Sequence, residues 1–191
     1  MLSFSDRKIG SILSFELLTI NHRTMFRQLY ISALCYLGFG IDIDHNGPYP
    51  AFMLSNLEPY KFVFRGKQFL SIESLFQGLK YRDIAQQNRV FEKVGIDAKV
   101  RRARSNWQAS QTLYWQGEPM GRHSKEYKDF IDEAYAALAA NSDFCEALLA
   151  TGSKCLYNSY AKTNTSKTVL TAKEQCKALM RLRKKLKDST P

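Results

Sequence analysis

The run from Ser71 to Lys80, SIESLFQGLK, carries two patterns at once. Ile72, Leu75, Phe76 and Leu79 stand at i, i+3, i+4 and i+7, the stripe by which a helix faces a core. Ser71, just before them, suits an N-cap because its hydroxyl can accept an amide of the first turn. Beside that stripe Glu73, Gln77 and Lys80 stand at i, i+4 and i+7, which brings a carboxylate, an amide and an ammonium within reach of one ligand. The same spacing also describes an ordinary polar ladder on a solvated face. Glu73 falls in the first turn, where the positive end of the helix dipole favours the ionised carboxylate. On an exposed face its loss of charge should change stability by only about 0.3–1 kcal/mol.

Immediately upstream, Phe62, Phe64 and Phe69 flank Arg65-Gly66-Lys67, so residues 61–70 predict a β-hairpin that delivers the chain into this helix. Residues 42–50, DIDHNGPYP, are rich in turn formers and separate it from an N-terminal segment. There the clusters Ile9 to Ile20 and Phe26 to Leu34 predict two short helices. Met1 to Gly40 holds no polar constellation and is expected to pack outside the pocket, with His22 as a surface or capping residue. Downstream, Tyr127, Phe130, Ile131, Ala134 and Leu138 mark a long amphipathic helix, and Asn141-Ser142-Asp143 restarts a second that ends near Gly152. Thr171 and Glu174 form a capping-box pair. They open a last helix with Cys176, Leu179, Met180 and Leu186 inward and a basic end at Arg181, Arg183, Lys184, Lys185 and Lys187, which complements the helix dipole. The expected architecture is α+β: a mostly helical single domain with a small β-hairpin or sheet over residues 42–187, a helical extension at 1–41 and a tail at 188–191.

The chain has 191 residues, 45% of them apolar and 13% aromatic, enough for one sizeable core and short for a two-domain enzyme. Lys and Arg number 28 against 18 Asp and Glu, a net charge of +10, so anionic partners are favoured, phosphate first. Solubility alone is the plain alternative. Cys35, Cys145, Cys155 and Cys176 form no C-x-x-C pair, and His22, His45 and His123 are scattered, so neither a zinc site nor any other metal site is expected. Cys145 and Cys176 lie among apolar neighbours as reduced thiols would, which suggests a cytoplasmic location. Leu29 to Ile41, the most apolar stretch, falls short of the ~20 residues that span a bilayer. No Gly-x-Gly-x-x-Gly or Walker-type loop occurs. Lys99 to Arg104, KVRRAR, precedes Asn106, Trp107, Tyr114 and Trp115, and guanidinium groups mixed with flat rings suit a phosphate joined to a base. A basic helix surface with both tryptophans in the core fits the same residues.

Several spaced motifs together resemble one family. Gly47-Pro48-Tyr49, Phe52-Met53-Leu54-Ser55-Asn56, Phe62 with Gly66-Lys67, and Ser71-Ile72-Glu73 with Phe76-Gln77 and Lys80 follow, in order, the pattern of the NADAR (YbiA-like) N-glycosidases. Asn141 to Gly152, NSDFCEALLATG, is similar to that family's "NPEL…LLATG" segment, and Ala178-Leu179-Met180 with Arg183 to its closing helix. The likeness covers roughly Asp42 to Leu186. It departs at Ser74, where many members have histidine. It departs again after Gly152, where the family carries a glutamate and an Asp-x-x-Trp-Gly-like run: here no Asp, Glu or Trp occurs from Lys154 to Ala172. Ala103 to His123 is longer than the common version, which could bring Trp107 or Trp115 over the base pocket.

The resemblance implies a YbiA-like fold and a hydrolase of the N-glycosyl bond that needs no cofactor. Its substrate would be a phosphorylated ribosyl or ADP-ribosyl conjugate of a base, either ADP-ribosyl-guanine or an intermediate of the riboflavin pathway, as a free nucleotide or within a nucleic acid. Glu73 matches the family's catalytic glutamate. Breaking a bond to an anomeric carbon builds positive charge on the sugar, which a fixed carboxylate stabilises. Asn56 and Gln77 would hold ribose hydroxyls, Lys80, Arg101 and Arg102 would bind phosphate, Trp107 or Trp115 would stack on the base, and Asn158 would supply a second polar group. The alternative is a module that binds ADP-ribose or nucleic acid without turnover, in keeping with the acidic residues missing after Gly152.

Overall fold

Arg65 and Gly66 both take positive φ, 46° and 76°, the two-residue turn whose twist matches that of antiparallel strands. It folds Phe62–Phe64 back on Lys67–Phe69, with Phe62 opposite Phe69 and Phe64 opposite Lys67. Strand alternation then buries Phe62, Phe64 and Phe69 and leaves Val63 outside. The structure is a computed structural model that describes residues 40–99 and 105–189. The chain divides after Gly40, and the helices expected before that point lie outside the described residues, as does the placement expected for Met1 to Gly40.

In chain order the elements are β1 (Gly40–Asp42), a 3-10 turn (Phe52–Leu54), β2 (Phe62–Phe64), β3 (Lys67–Phe69), α1 (Ile72–Gly78), α2 (Ile84–Phe91) and α3 (Gly95–Lys99). There follow α4 (Trp107–Ser110), β4 (Thr112–Trp115), β5 (Glu118–Gly121), α5 (Lys125–Leu138), α6 (Ser142–Ala150), β6 (Cys155–Tyr157) and α7 (Ala172–Asp188). The strands form three separate pairs, β1 with β6, β2 with β3 and β4 with β5. This is the α+β, mostly helical domain expected.

The core is built on α1. Ile72, Leu75, Phe76 and Leu79 are all buried, and α1 packs on α2, α3 and α5. α1 ends at Gly78, earlier than the apolar stripe suggests, and that position has no room for a side chain: a Cβ on Gly78 would stand 2.1 Å from the Phe91 ring of α2. Phe64, Phe69, Phe91, Trp115 and Phe130 form one aromatic cluster with ring centroids 4.7–6.3 Å apart. Such edge contacts add about 0.5–1.5 kcal/mol per pair beyond burial. α5 presents Tyr127, Phe130, Ile131, Ala134 and Leu138 to this core, and α7 packs on α5, α6 and β6.

Thr171 and Glu174 make the full capping box at the start of α7. The same Glu174 takes a two-pronged contact from Arg122, at 2.9 and 2.7 Å, although Arg122 is only 2% exposed. Arg122 also donates to the Thr168 carbonyl at 3.0 Å and lies over the Tyr127 ring. Burial pushes the Glu174 carboxyl up, but Arg122 and the Thr171 amide and hydroxyl outweigh it and hold the group below the usual carboxylate range. Arg183 differs from expectation. It does not belong to a solvated basic end but is buried, donating to Thr151 Oγ1 at 2.6 Å and the Lys154 carbonyl at 3.0 Å, which ties α7 to the end of α6.

Candidate functional site

Two anchors fix the first turn of α1. Ser71 Oγ accepts the amides of Ser74, at 3.3 Å, and Gly95, at 3.0 Å, so the N-cap also holds the start of α3. The Glu73 amide donates to the Asn56 carbonyl at 3.0 Å. These contacts draw the first turn inward, and Glu73 is 8% exposed. The face is therefore not the solvated one that the spacing allows: Glu73 is buried, and Gln77 and Lys80 are half-buried.

Gln77 Nε2 donates to Glu73 Oε1 at 2.8 Å, and Lys80 Nζ donates to Gln77 Oε1. The amide is thus oriented from both ends, with donor toward the carboxylate and acceptor toward the ammonium. Lys80 Nζ in turn lies 5.9 Å from the centre of the Trp107 ring. Burial lowers the Lys80 pKa, Glu73 opposes that shift, and the charges of Lys162 and Lys99 add to it. Past Lys80 opens a cleft of about 240 Å³, lined by Lys80, Arg82, Gln86, Asn106, Trp107 and Tyr114 among others.

A second network meets Asn56 from behind. Asn56 Oδ1 accepts the Tyr135 hydroxyl at 2.6 Å and Gln175 Nε2 at 3.1 Å. Gln175 Oε1 accepts Asn158 Nδ2 at 3.0 Å, and Asn158 Oδ1 caps the amides of Tyr160 and Ala161 at 3.1 and 2.8 Å. With Oδ1 occupied twice, Asn56 has its NH₂ group left to offer a ligand. Tyr135 is held neutral well above the usual phenol range, first by burial and then by Cys176, with the Asn56 contact opposing. It acts as a fixed donor.

Chemically, the set offers a fixed buried carboxylate, a neutral amide aligned to it and an ammonium at a cleft mouth. Asn56, Glu73, Gln77, Lys80 and Trp107 are brought into one connected arrangement, and Asn158 reaches it through Gln175. Arg101 and Arg102 lie outside the described residues. Trp115 is not brought there: its ring packs at 5.5 Å from Phe64 and Phe130 and 6.0 Å from Phe91, inside the aromatic cluster. Trp107 is 5% exposed with Lys80 over its face, so it braces the lysine more than it offers a free stacking surface. Tyr135, Gln175, Arg82 and Lys162 escaped the sequence reading. Only Gln175 carried a signal, as a polar residue on the inward side of an amphipathic helix.

The chain matches the family model described as bacteriophage protein GP30.3 over residues 48–184. It is 35% identical over 149 residues, 76% of this chain and 98% of the other, to an uncharacterized 17.1 kDa protein of the Gp30-rIII intergenic region of Enterobacteria phage T4. Its fold is similar to the NMR structure of the Escherichia coli protein YbiA, with a TM-score of 0.51, 17% identity, and coverage of 78% of this chain and 86% of that one. The likeness establishes a YbiA-like fold. Among the described residues no helix is long and apolar enough to cross a membrane.

Proposed function

Since the chain belongs to the bacteriophage GP30.3 protein family and carries its Glu73–Gln77–Lys80 chain on a YbiA-like fold, we propose that it hydrolyses an N-glycosidic bond. The substrate is a phosphorylated ribosyl or ADP-ribosyl conjugate of a base. The carrying observation is the buried Glu73 carboxylate held by Gln77 beside Lys80. As the bond from the anomeric carbon to the base nitrogen breaks, positive charge grows on the sugar and Glu73 stabilises it or orients the attacking water. Water's oxygen bonds to the anomeric carbon and its proton goes to the departing base. Asn56 donates to a ribose hydroxyl, Lys80 holds phosphate by a charge-assisted bond, and Gln77 keeps the two charged groups apart and aligned.

The test is incubation with ADP-ribosylated guanine in DNA and, separately, with phosphorylated riboflavin intermediates, following release of the base. Release that disappears in Glu73→Gln supports the reading. One observation favours binding without turnover: Asn158, the candidate second polar group, spends both side-chain ends on Gln175 and on two loop amides. Tight binding of the same conjugates with no release in single turnover would establish that reading instead.

A further inference from the structure

Helix α7 carries seven cations against two carboxylates, and they are not spread evenly round it. Lys173, Lys177, Arg181 and Lys184 are all exposed and follow at i, i+4, i+8 and i+11, which places them in one row. The row extends about 16 Å at the helical rise of about 1.5 Å per residue. The opposite side, with Cys176, Leu179 and Leu182, is buried in the core. The helix therefore has no apolar face to lay on a lipid surface.

Complementing the helix dipole accounts for Lys184, Lys185 and Lys187 in the last turns. It does not account for Lys173, which stands in the first turn, where the dipole disfavours a cation, or for Lys177, which stands beyond the reach of either end. Carboxylates do not balance the row either. Among the described residues Arg181 pairs with Asp132, whereas Lys173, Lys177, Lys184 and Lys185 have no acidic partner. Glu174 is turned toward Arg122 and Thr171. The exposed Lys162 adds a further cation at the N-terminal end, where its carbonyl accepts the Ala172 amide at 3.1 Å.

We propose that this row is a track for a nucleic-acid backbone, distinct from the cleft beside Lys80. Cations repeating about every 6 Å along a helix face suit a polymer that carries a charge about every 3.4 Å of each strand. An acidic protein fits less well. Protein interfaces are poor in lysine and have an apolar centre, and none of the exposed large apolar residues, Tyr49, Val63, Ile84, Ile96 and Tyr160, lies on α7. Lysine contacts to phosphate position a protein without reading sequence, so the binding is indifferent to sequence and strongly dependent on salt.

The experiment is fluorescence anisotropy with a labelled mixed-sequence DNA duplex, two helical turns long, titrated with the full chain at several salt concentrations. The row variant is Lys173→Gln/Lys177→Gln/Lys184→Gln, and Lys61→Gln/Arg89→Gln/Lys128→Gln removes the same charge elsewhere. The row variant should lose tenfold or more in affinity at low salt, and its log–log salt slope should fall by about 2–3, at about 0.9 per lost phosphate contact. The single variant Lys177→Gln should lower the slope by about 0.9, and the charge-matched control should stay within about threefold of the unaltered chain. Equal losses in the row variant and the control would overturn the proposal by reducing it to net charge. So would absence of duplex binding by the unaltered chain at low salt, or equally tight binding of polyglutamate with the same salt slope. The readout is binding alone and does not depend on glycosidase chemistry.

Discussion

Replacing Glu73 by glutamine keeps the shape of the side chain and removes its charge. The new amide oxygen can still accept Gln77 Nε2, which lies 2.8 Å from Oε1 in the native side chain, so the helix face keeps its geometry. What disappears is the carboxylate that opposes the lowering of the Lys80 pKa. If that carboxylate meets positive charge developing on the sugar, the single-turnover rate should fall by about a hundredfold to a thousandfold, or about 2.7–4 kcal/mol of barrier. The stability change is bounded from the structure. Loss of the dipole term is worth about 0.3–1 kcal/mol. Exchanging a charged for a neutral acceptor removes about 1 kcal/mol, while the residue is 8% exposed and a neutral amide is cheaper to bury than a carboxylate. The net loss should stay within about 2 kcal/mol, a few degrees in thermal midpoint for a chain of this size. A second signature follows from Lys80. Its pKa is already lowered by burial, and without Glu73 it falls further, so affinity for inorganic phosphate should fade at lower pH in the variant as pH is raised. Full turnover in Glu73→Gln, or a rate loss that merely tracks unfolding, would refute the assignment. An unmoved alkaline limb would refute the coupling to Lys80.

Removing Glu174 as Glu174→Ala strands the buried Arg122 and should cost about 3–5 kcal/mol, read by denaturant unfolding. Because the Glu174 pKa is held below its unfolded value, its stabilisation is present above the unfolded carboxylate pKa and lost as pH falls through the folded one; Glu174→Gln should flatten that acid limb. For Lys80 the sign is the same, although the usual lysine case is the opposite: its folded pKa lies below the unfolded one, the folded chain binds fewer protons between them, and stability should rise with pH across that window, less steeply in Lys80→Met. Gly78→Ala drives a methyl into the Phe91 ring and should destabilise by about 1–3 kcal/mol, with near-ultraviolet circular dichroism reporting the displaced aromatic cluster. Gln175→Met leaves Asn56 Oδ1 held by the Tyr135 hydroxyl alone and so loosens the orientation of its amide; substrate affinity should weaken several-fold more than the thermal midpoint alone explains, and an unchanged affinity would remove Gln175 from the support of the site.

Much of the architecture follows from signals that act within one turn of chain. The Arg65-Gly66 turn sets the hairpin, the Ser71 and Thr171 hydroxyls start α1 and α7, and the apolar periods of residues 72–79 and 127–138 name the buried faces, because each depends on atoms three or four residues apart. The Glu73–Gln77–Lys80 chain was legible for the same reason. The i, i+4 geometry of a helix exists before any tertiary contact. The burial of that chain was not legible, since it depends on Asn56 crossing to the Glu73 amide from a loop outside the helix. The hairpin of β4 and β5 carries a local mark only at Gln116-Gly117, whose φ of 52° and 87° make its turn, because the basic and aromatic residues from Lys99 to Trp115 show no clean strand alternation. Asn56 and Gln175 meet across 119 residues, and Arg122 and Glu174 across 52. No local pattern specifies such pairs. They are selected when packing removes water from groups that must then find partners in one another, and that selection turned Trp115 into core, Arg183 into a helix tie and Glu73 into a sheltered carboxylate.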